Sequence, residues 1–411
     1  MLTLVVFFVV LSVLVLVHEF GHFIVGRWAG IGVLEFALGL PFTKPLWSRK
    51  LKSGMHISLY PVLFGGFVKL LGEEAPDGGE KGEGSPSTTL RVKREKVAGK
   101  EFYKATVGQR IVVVVAGVGM NLLLGLAAFY VFLALANFRA LLPRLSDYDF
   151  VSPSQEVIVV STVVPGSPAE KAGLKESDVI LAAGGRTFAD ISAFQEYVKS
   201  QGGQSVQFAV TDLDYASSKM VTVTPRENPP KDQGALGVGI GEAVAVRFDT
   251  PAEKLTSGVV YSYDMLAYNI QVLSQLFTKS VETRSAAPVA NNVSGPLGIL
   301  SIVGDILNLP WKVAIRSLVN FLGLLSLSLA FMNILPIPAM DGGRLVFLLF
   351  EAISRRKVPA RIENWVNQAG MIALLGLIML ISFNDVKKNF LPKCSEPGFL
   401  SEAGVCMEEG K

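Results

Sequence analysis

The segment HEFGH, residues 18–22, lies inside an apolar run of the chain. Residues four positions apart share one face of an α-helix, so His18 and His22 can present imidazole nitrogens to one metal ion. Glu19 follows the first histidine and can reach water at that metal. This HExxH spacing is typical of zinc peptidases, in which the glutamate is the general base. The alternative interpretation is a pair of structural histidines bonded to neighbouring helices.

A zinc peptidase site requires a third protein ligand and leaves a fourth position for water. In FMNILPIPAMDGGRL, residues 331–345, Pro336 and Pro338 interrupt a helical segment and Asp341 follows them. Asp341 is therefore the candidate third ligand. A charged side chain at membrane depth costs about 2.5 to 3.5 kcal/mol, which favours a functional, partnered group over the alternative of a plain Asp-Gly turn.

The elements that must position these residues are hydrophobic helices. Half of the 411 residues are hydrophobic and the formal net charge is +3, which is too apolar for an ordinary soluble enzyme and gives no sign of nucleic-acid binding. A helix needs about 20 apolar residues to cross a bilayer. The first candidate lacks a basic start and a small-residue cleavage site, so we expect it to be retained rather than removed as a signal peptide. The four predicted transmembrane segments are residues 1–28, 107–137, 313–345 and 364–384.

Lysine and arginine residues predict the orientation of these spans. They cluster in residues 29–106, between the first and second spans, and in the loop between the third and fourth. Cytoplasmic loops carry such an excess of basic residues. Both termini and the region between the second and third spans are then extracytoplasmic, and HEFGH and Asp341 meet near the cytoplasmic side.

The cytoplasmic loop contains two different segments. Residues 54–73 predict a strand, a turn and a strand, but they are too apolar for a solvated hairpin and indicate a membrane-embedded β-loop beside the first span. Residues 73–100 are polar and rich in Gly, Pro and Ser, so we expect a flexible segment. The third histidine, His56, is at the base of the β-loop, where a structural role is favoured over metal contact.

Two further segments lie outside the predicted spans. A capping box that begins at Thr250 opens a helix over residues 250–283. Its polar residues favour an amphipathic helix on the membrane surface over a fifth span. The tail, residues 385–411, carries both cysteines, Cys394 and Cys406; in an oxidising compartment they could form a disulfide.

Residues 145–245 alternate a strand, a turn, a short helix, a second strand and a longer helix. This order and the pattern SPAEKAGL…DVI…G, residues 167–185, resemble the PDZ domains of bacterial proteases, in which the glycine-rich strand of the peptide groove comes last. GALGVGIG, residues 234–241, has the composition of that strand; an ordinary turn is the alternative. The candidate groove residues are Leu236, Gly237, Val238 and Gly239.

Together these motifs resemble the site-2 protease family of intramembrane zinc metalloproteases, and within it the bacterial regulator-of-sigma-E protease type. The resemblance rests on HEFGH, the PDZ-like segment, and an NxxPxPxxDG pattern formed by Asn333, Pro336, Pro338, Asp341 and Gly342. GGFVKLLGE at 65–73, QRIVVVVAGVGMN at 109–121 and SGPLGI at 294–299 are also similar to family motifs. One PDZ-like segment is found here, whereas the best-known enterobacterial members carry two.

The resemblance implies a fold and a cofactor. The fold is a multi-span α-helical membrane protein with four transmembrane helices, a membrane-associated β-loop and an inserted α+β PDZ domain, placed in a bacterial cell (inner) membrane. The cofactor is one zinc ion, with His18, His22 and Asp341 as ligands and Glu19 as the catalytic residue.

The resemblance also implies a substrate class. Single-span membrane proteins, already trimmed by a site-1 protease, are cut within the bilayer in regulated intramembrane proteolysis; anti-sigma factors and signal-peptide remnants are typical. Asn333 is expected to hold the unwound substrate backbone, although an amide that satisfies carbonyls freed by Pro336 is the alternative. The expected pairing residues of the β-loop are Gly65, Gly66, Phe67 and Val68.

Two other classes of protein remain open at this point. A zinc-dependent transporter or sensor would use the same ligands without hydrolysis, but a carboxylate such as Glu19 beside the water position is needed only for chemistry. A PDZ-bearing scaffold would not need buried metal ligands.

Overall fold

The computed structural model describes residues 1–73, 97–144, 148–188, 190–212, 218–230, 233–285 and 287–389. Four of its helices are long and apolar enough to cross a membrane: α1, α2, α8 and residues Arg361–Val386 of α10. The four helices predicted from hydropathy are thus present in the described part of the chain. The helices are α1 (Leu2–Trp28), α2 (Val107–Leu135), α3 (Pro168–Ala172), α4 (Ile191–Ser200), α5 (Pro251–Glu282), α6 (Ala287–Asn292), α7 (Pro296–Leu307), α8 (Trp311–Ile334), α9 (Asp341–Ser354) and α10 (Ala360–Asn389).

The third predicted segment, 313–345, contains two helices rather than one. α8 ends at Ile334, and Leu335 is extended with φ −64° and ψ 147°. The ring of Pro336 favours this conformation because it disfavours helical backbone in the residue before it. α9 starts at Asp341, so the motif NxxPxPxxDG joins two helices.

The strands of the described residues form two sheets. A four-stranded sheet has the order β2-β3-β1-β4, and a six-stranded sheet has the order β5-β10-β6-β7-β8-β9. The strands are β1 (Val33–Leu40), β2 (Trp47–Lys50), β3 (His56–Leu59), β4 (Val62–Leu70), β5 (Arg139–Pro143), β6 (Ser154–Val163), β7 (Val179–Ala183), β8 (Val206–Thr211), β9 (Ser218–Val223) and β10 (Val238–Arg247).

The small sheet corrects the predicted strand-turn-strand of residues 54–73. Both strands, β3 and β4, are present, but they do not pair with each other, because β1 lies between them, parallel to β3 and antiparallel to β4. The chain crosses the end of β1 at Gly39, where a Cβ atom would lie 2.7 Å from the carbonyl oxygen of Val62 and 3.0 Å from the Cβ of Tyr60. Gly39 has φ +92°, so its lack of a side chain permits both the crossing and the backbone conformation.

The second sheet contains the elements predicted for residues 145–245 in the predicted order: β6, α3, β7 and α4. Ser167 caps α3 by accepting a hydrogen bond from the N–H of Glu170, and Gly173 ends it in the left-handed conformation. The strands enclose a core that includes Val160, Phe194 and Phe208. The glycine-rich segment leads into β10, the last strand, which pairs with β6 over most of its length and with β5 only from Ala243 onward.

The chain folds as two compact units. The first contains residues 1–121, 275–314 and the described residues from 329 onward; the second contains residues 122–274 and 315–328. The four-stranded sheet and the HEFGH segment belong to the first unit. The six-stranded sheet belongs to the second.

The predicted capping box opens α5. The N–H of Glu253 donates to Thr250 Oγ1 at 3.3 Å, and the N–H of Thr250 donates to Glu253 Oε2 at 3.0 Å. α5 is not among the four candidate spans of the described chain, although its location on a membrane surface stays a prediction. The predictions for residues 74–96, Cys394 and Cys406 lie outside the described residues.

Candidate metal centre

The two histidines of HEFGH lie on one face of α1, as their spacing predicts. His18 and His22 are 9% and 8% exposed, and their Nε2 atoms are 3.1 Å apart. Leu14, Gly21 and Gly26 of the same helix are also buried, so this face of α1 is turned into the protein.

Asp341 completes a group of three candidate ligands. Its Oδ2 lies 3.0 Å from Nε2 of His18 and 3.3 Å from Nε2 of His22. Ligand atoms about 2.0 to 2.1 Å from a tetrahedral zinc ion are about 3.3 Å apart, so the three separations fit such an ion. Among the described residues, this is the group of histidine and carboxylate side chains close enough to share a metal.

Protonation at the second ring nitrogen supports the same arrangement. Nδ1 of His22 lies 2.8 Å from the carbonyl oxygen of Val113, so Nδ1 carries the proton and Nε2 keeps its lone pair. Nδ1 of His18 lies 3.2 Å from Nδ2 of Asn121. Exchange of the nearly indistinguishable oxygen and nitrogen of this amide brings Oδ1 to Nδ1, where the oxygen accepts the proton that leaves Nε2 free for a metal. The Nε2 lone pairs and a carboxylate oxygen then converge on one point, an arrangement that a cation stabilises.

Glycine residues let α1 and α2 approach closely at this level. A Cβ atom on Gly117 would lie 2.4 Å from Nε2 of His22 and 2.7 Å from Cε1 of His18. A Cβ atom on Gly21 would lie 2.4 Å from the carbonyl oxygen of Ala116. Gly21 of α1 and Gly117 of α2 therefore permit the two helices to meet at the candidate metal centre.

Glu19 is held by the backbone of the small sheet. Its Oε2 accepts a hydrogen bond from the N–H of Val68 in β4 at 2.9 Å. The carboxylate is thereby fixed beside His18 without being one of the three converging ligands. A non-ligating carboxylate in this position is suited to general acid–base chemistry.

The loop that presents Asp341 is fixed by α10. Ala339 adopts the left-handed conformation with φ +71°, and its N–H donates to Asn367 Oδ1 at 3.3 Å. A Cβ atom on Gly370 would lie 2.4 Å from the Cβ of Pro338, so α10 packs on the loop without a side chain between them. No sequence pattern indicated this contact, because it joins two segments that share no motif.

A cavity of about 340 Å³ lies next to Asp341. Arg344 in its wall forms an ion pair with Glu73, at 2.5 Å between Nη1 and Oε1. The lining residues are Ala339, Met340, Asp341, Arg344, Asn364, Asn367, Gln368 and Met371.

The remaining predicted site residues occupy other positions. Asn333 is in the last turn of α8, and residues 65–68 are within β4. His56 is in β3, with Nδ1 3.5 Å from Ser48 Oγ, and is not part of the three-ligand group. The predicted groove residues lie in the second unit, two before β10 and two in it. Leu236 is buried in the core and Gly237 has φ +70°, whereas Val238 and Gly239 are the first residues of β10 and pair with β6.

Comparison with known proteins gives consistent matches over most of the chain. The sequence profile of peptidase family M50 matches residues 6–377. A protein of Rhizobium meliloti (strain 1021), named as a zinc metalloprotease, is 29% identical over 397 residues, which cover 93% of this chain and 96% of that protein. Another so named, from Clostridium perfringens (strain 13 / Type A), is 30% identical over 376 residues, covering 91% and 96%. Metalloprotease MmpA of Caulobacter vibrioides is 29% identical over 400 residues, covering 92% and 94%.

Proposed function

The chain belongs to peptidase family M50 and is a zinc metalloprotease of the membrane, and on this premise we propose that it cuts single-span membrane proteins inside the bilayer. The cut is the second step of regulated intramembrane proteolysis, after a site-1 protease has removed the outer part of the substrate. Anti-sigma factors and signal-peptide remnants are the proposed substrates.

The proposed zinc ligands are His18, His22 and Asp341. The single observation that carries the proposal is the convergence of two imidazole Nε2 atoms and one carboxylate oxygen within about the ligand separations of a tetrahedral site. When bound, zinc supplies a Lewis acid that polarises a peptide carbonyl and activates water.

Glu19 is the proposed general base and acid. The N–H of Val68 holds its carboxylate at a defined position, from which it takes a proton from the attacking water. It then returns the proton to the leaving amine. Removal of such a group typically lowers the rate by about 10² to 10⁴-fold.

The proposed substrate contact is an added strand on β4. This strand is at one end of its sheet, so its outer edge has no partner strand among the described residues. A transmembrane helix must unwind before a protease can reach its peptide bonds, and pairing with a strand satisfies the freed backbone groups. Of the four predicted pairing residues, Gly65, Gly66 and Phe67 are proposed to contact substrate, whereas the N–H of Val68 already donates to Glu19. Asn333 is proposed to hold the unwound substrate backbone.

The six-stranded domain is proposed to be an extracytoplasmic PDZ domain within residues 145–245. Its strand and helix order support this assignment, as does the part of β10 before Ala243, which β5 leaves unpaired. α4 contacts this strand, since the N–H of Ile191 donates to Glu242 Oε1. We propose that the domain acts as a size filter, which excludes substrates whose outer part has not been removed.

The remaining assignments follow the predicted domains. The protein is placed in a bacterial inner membrane with both termini outside and the metal centre near the cytoplasmic face. Residues 250–283 lie on the membrane surface, and residues 73–100 form a cytoplasmic loop.

The test is cleavage of a candidate anti-sigma-factor span by purified protein in detergent. We expect cleavage that a chelator abolishes and added zinc restores. Glu19→Gln should keep one zinc per chain and lose cleavage, because the amide still accepts the hydrogen bond from Val68 but cannot accept the proton. Glu156→Gln, the same change at an exposed ion pair of the second unit, is the matched control. Cleavage by Glu19→Gln at the normal rate contradicts the assigned role.

A further inference from the structure

The outer edge of β4, the side that faces away from β1, is partly occupied by carboxylates of the same chain. The N–H of Val68 donates to Glu19 Oε2 at 2.9 Å, and the N–H of Leu70 donates to Glu73 Oε2 at 3.1 Å. Backbone N–H groups of alternate residues in a strand point to the same side. The pairing of β4 with β1 is continuous from Gly66 to Lys69, so Gly66 and Val68 share this edge.

From this arrangement we propose that a substrate strand pairs with β4 only on the N-terminal side of Val68 and leaves the sheet beside Glu19. The proposal rests on the proposed function, because it takes Glu19 as the general base and strand addition as the mode of binding. It adds the register of the bound substrate. It also makes the N–H of Val68 a positioning group for Glu19 rather than a contact for substrate.

The strengths of the competing hydrogen bonds support this division. A carboxylate that accepts a backbone N–H forms a charge-assisted bond, which is roughly twice as strong as the neutral bond that a substrate carbonyl would form in its place. Substrate therefore does not displace Glu19 from Val68 or Glu73 from Leu70. Glu73 is further held by its ion pair with Arg344.

The part of β4 before Val68 is the part that we propose to be available for pairing with substrate. Because the backbone groups of alternate residues point to the same side of a strand, the N–H and C=O of Gly66 face the outer edge of β4, where a substrate strand would pair. Toward its start, the strand is irregular: Gly66 pairs with Leu38 and Val62 pairs with Leu40, so residues 63–65 form a bulge. Gly65 has φ +94°. Such a bulge limits pairing on its N-terminal side, so the available edge is short, from Gly65 to Phe67, and ends next to the candidate metal centre.

A paired segment that ends at Glu19 places the substrate bond to be cut just beyond the end of the sheet. The first substrate peptide group beyond the paired segment has no strand partner and lies beside the carboxylate. Extended backbone is then required of the substrate on one side of the cut bond only. The residues on the other side are already outside the sheet.

The protein side of the proposal is tested by replacing single backbone amides with esters, using α-hydroxy acids incorporated into the full-length chain. The substrate is a single-span peptide of leucine and alanine, with Gly-Ser at its centre and a fluorophore and quencher at its ends. An ester at Val68 should lower kcat by about 10- to 100-fold with KM near normal, because it removes a hydrogen bond to a charged group. An ester at Gly66, the matched variant, should raise KM and leave kcat near normal. A raised KM with normal kcat for the Val68 ester overturns the proposal.

The substrate side provides a measurement that does not depend on the folding of these variants. Proline, which lacks an N–H, is placed in turn at the four positions on each side of the cut bond. Loss of cleavage on one side only is expected; equal loss on both sides, or no loss at any position, overturns the proposed register. Zinc-loaded wild-type protein that cuts no version of the peptide, or Glu19→Gln that cuts as fast as wild type, overturns the proposed function itself.

Discussion

At the residue scale, the two imidazoles of the candidate metal centre are supported by different kinds of group. His22 donates to a backbone carbonyl, that of Val113, which no substitution of that residue removes. His18 depends on a side chain, Asn121, which is fully buried on α2. Partners that hold the second ring nitrogen of a metal-binding histidine fix its tautomer and orientation. A substitution can therefore test the hydrogen bond that supports His18, but not the one that supports His22.

We predict that Asn121→Leu lowers zinc affinity by about 10- to 100-fold. Leucine has a similar shape but cannot accept the proton of Nδ1. Asn121→Asp should retain affinity, since a carboxylate oxygen accepts the same proton. Competition with a zinc-binding dye measures both variants, and Leu and Asp variants of equal affinity would contradict the role of Asn121.

Asp341 is predicted to contribute to metal binding itself. Asp341→Ala should lose zinc, because two imidazoles remain where a peptidase site needs three protein ligands. Asp305→Ala, on the exposed side of α7, is the control and should keep one zinc per chain. Metal analysis of both proteins after one gel-filtration step decides the matter; a full zinc complement in Asp341→Ala removes it from the ligand set.

At the element scale, the candidate metal centre depends on how closely three helices approach one another. α1 supplies both histidines, α2 packs on them through glycine, and α10 packs on the loop that carries Asp341. A methyl group added where α2 or α10 packs would separate Asp341 from the two histidines, whose ligand atoms lie about 3 Å from its carboxylate. The glycines of these helices therefore divide into those in contact with the site and those in open space.

We predict that Gly117→Ala disrupts zinc binding, whereas Gly119→Ala does not. The added Cβ of the first would lie 2.4 Å from Nε2 of His22, while nothing lies within 4 Å of the second. Both changes favour helix formation by about 1 kcal/mol, so propensity does not distinguish them. Zinc titration and thermal unfolding in detergent provide the comparison. Equal zinc affinity of the two variants would show that α2 does not limit the site.

The packing of α10 on the loop before Asp341 can also be tested with a pair of glycine substitutions. Gly370→Ala should lower zinc affinity because its Cβ would meet Pro338, including the backbone carbon at 2.8 Å, which cannot move without shifting the loop before Asp341. Gly376→Ala, on the same helix with nothing within 4 Å, should behave as wild type. The readout is zinc content after mild chelation. Unchanged retention in Gly370→Ala would mean that the loop holds Asp341 without α10.

At the scale of the whole molecule, the distribution of basic residues predicts which regions face the cytoplasm. With Cys394 and Cys406 replaced by Ser, a single cysteine is introduced at Glu196, exposed on α4, or at Gly84 in the loop before the second span. A membrane-impermeant thiol reagent added from outside should label the first and spare the second, because basic loops remain inside. Labelling in the reverse pattern contradicts the predicted orientation.

The sequence by itself determined the features that depend on local pattern. Hydropathy located the four apolar helices, because the length needed to cross a bilayer is a property of one segment. The spacing of His18 and His22 placed them on one face of α1, because helical periodicity is local. The capping box of α5 was predictable for the same reason.

Only the tertiary structure decided which distant groups meet. It brings Asp341 within 3.3 Å of both imidazoles, inserts β1 between the two strands predicted as neighbours, and places the N–H of Val68 on Glu19. These contacts join segments far apart in the chain, and no periodicity relates them. They depend on the packing of whole helices and strands against one another, which local pattern does not encode.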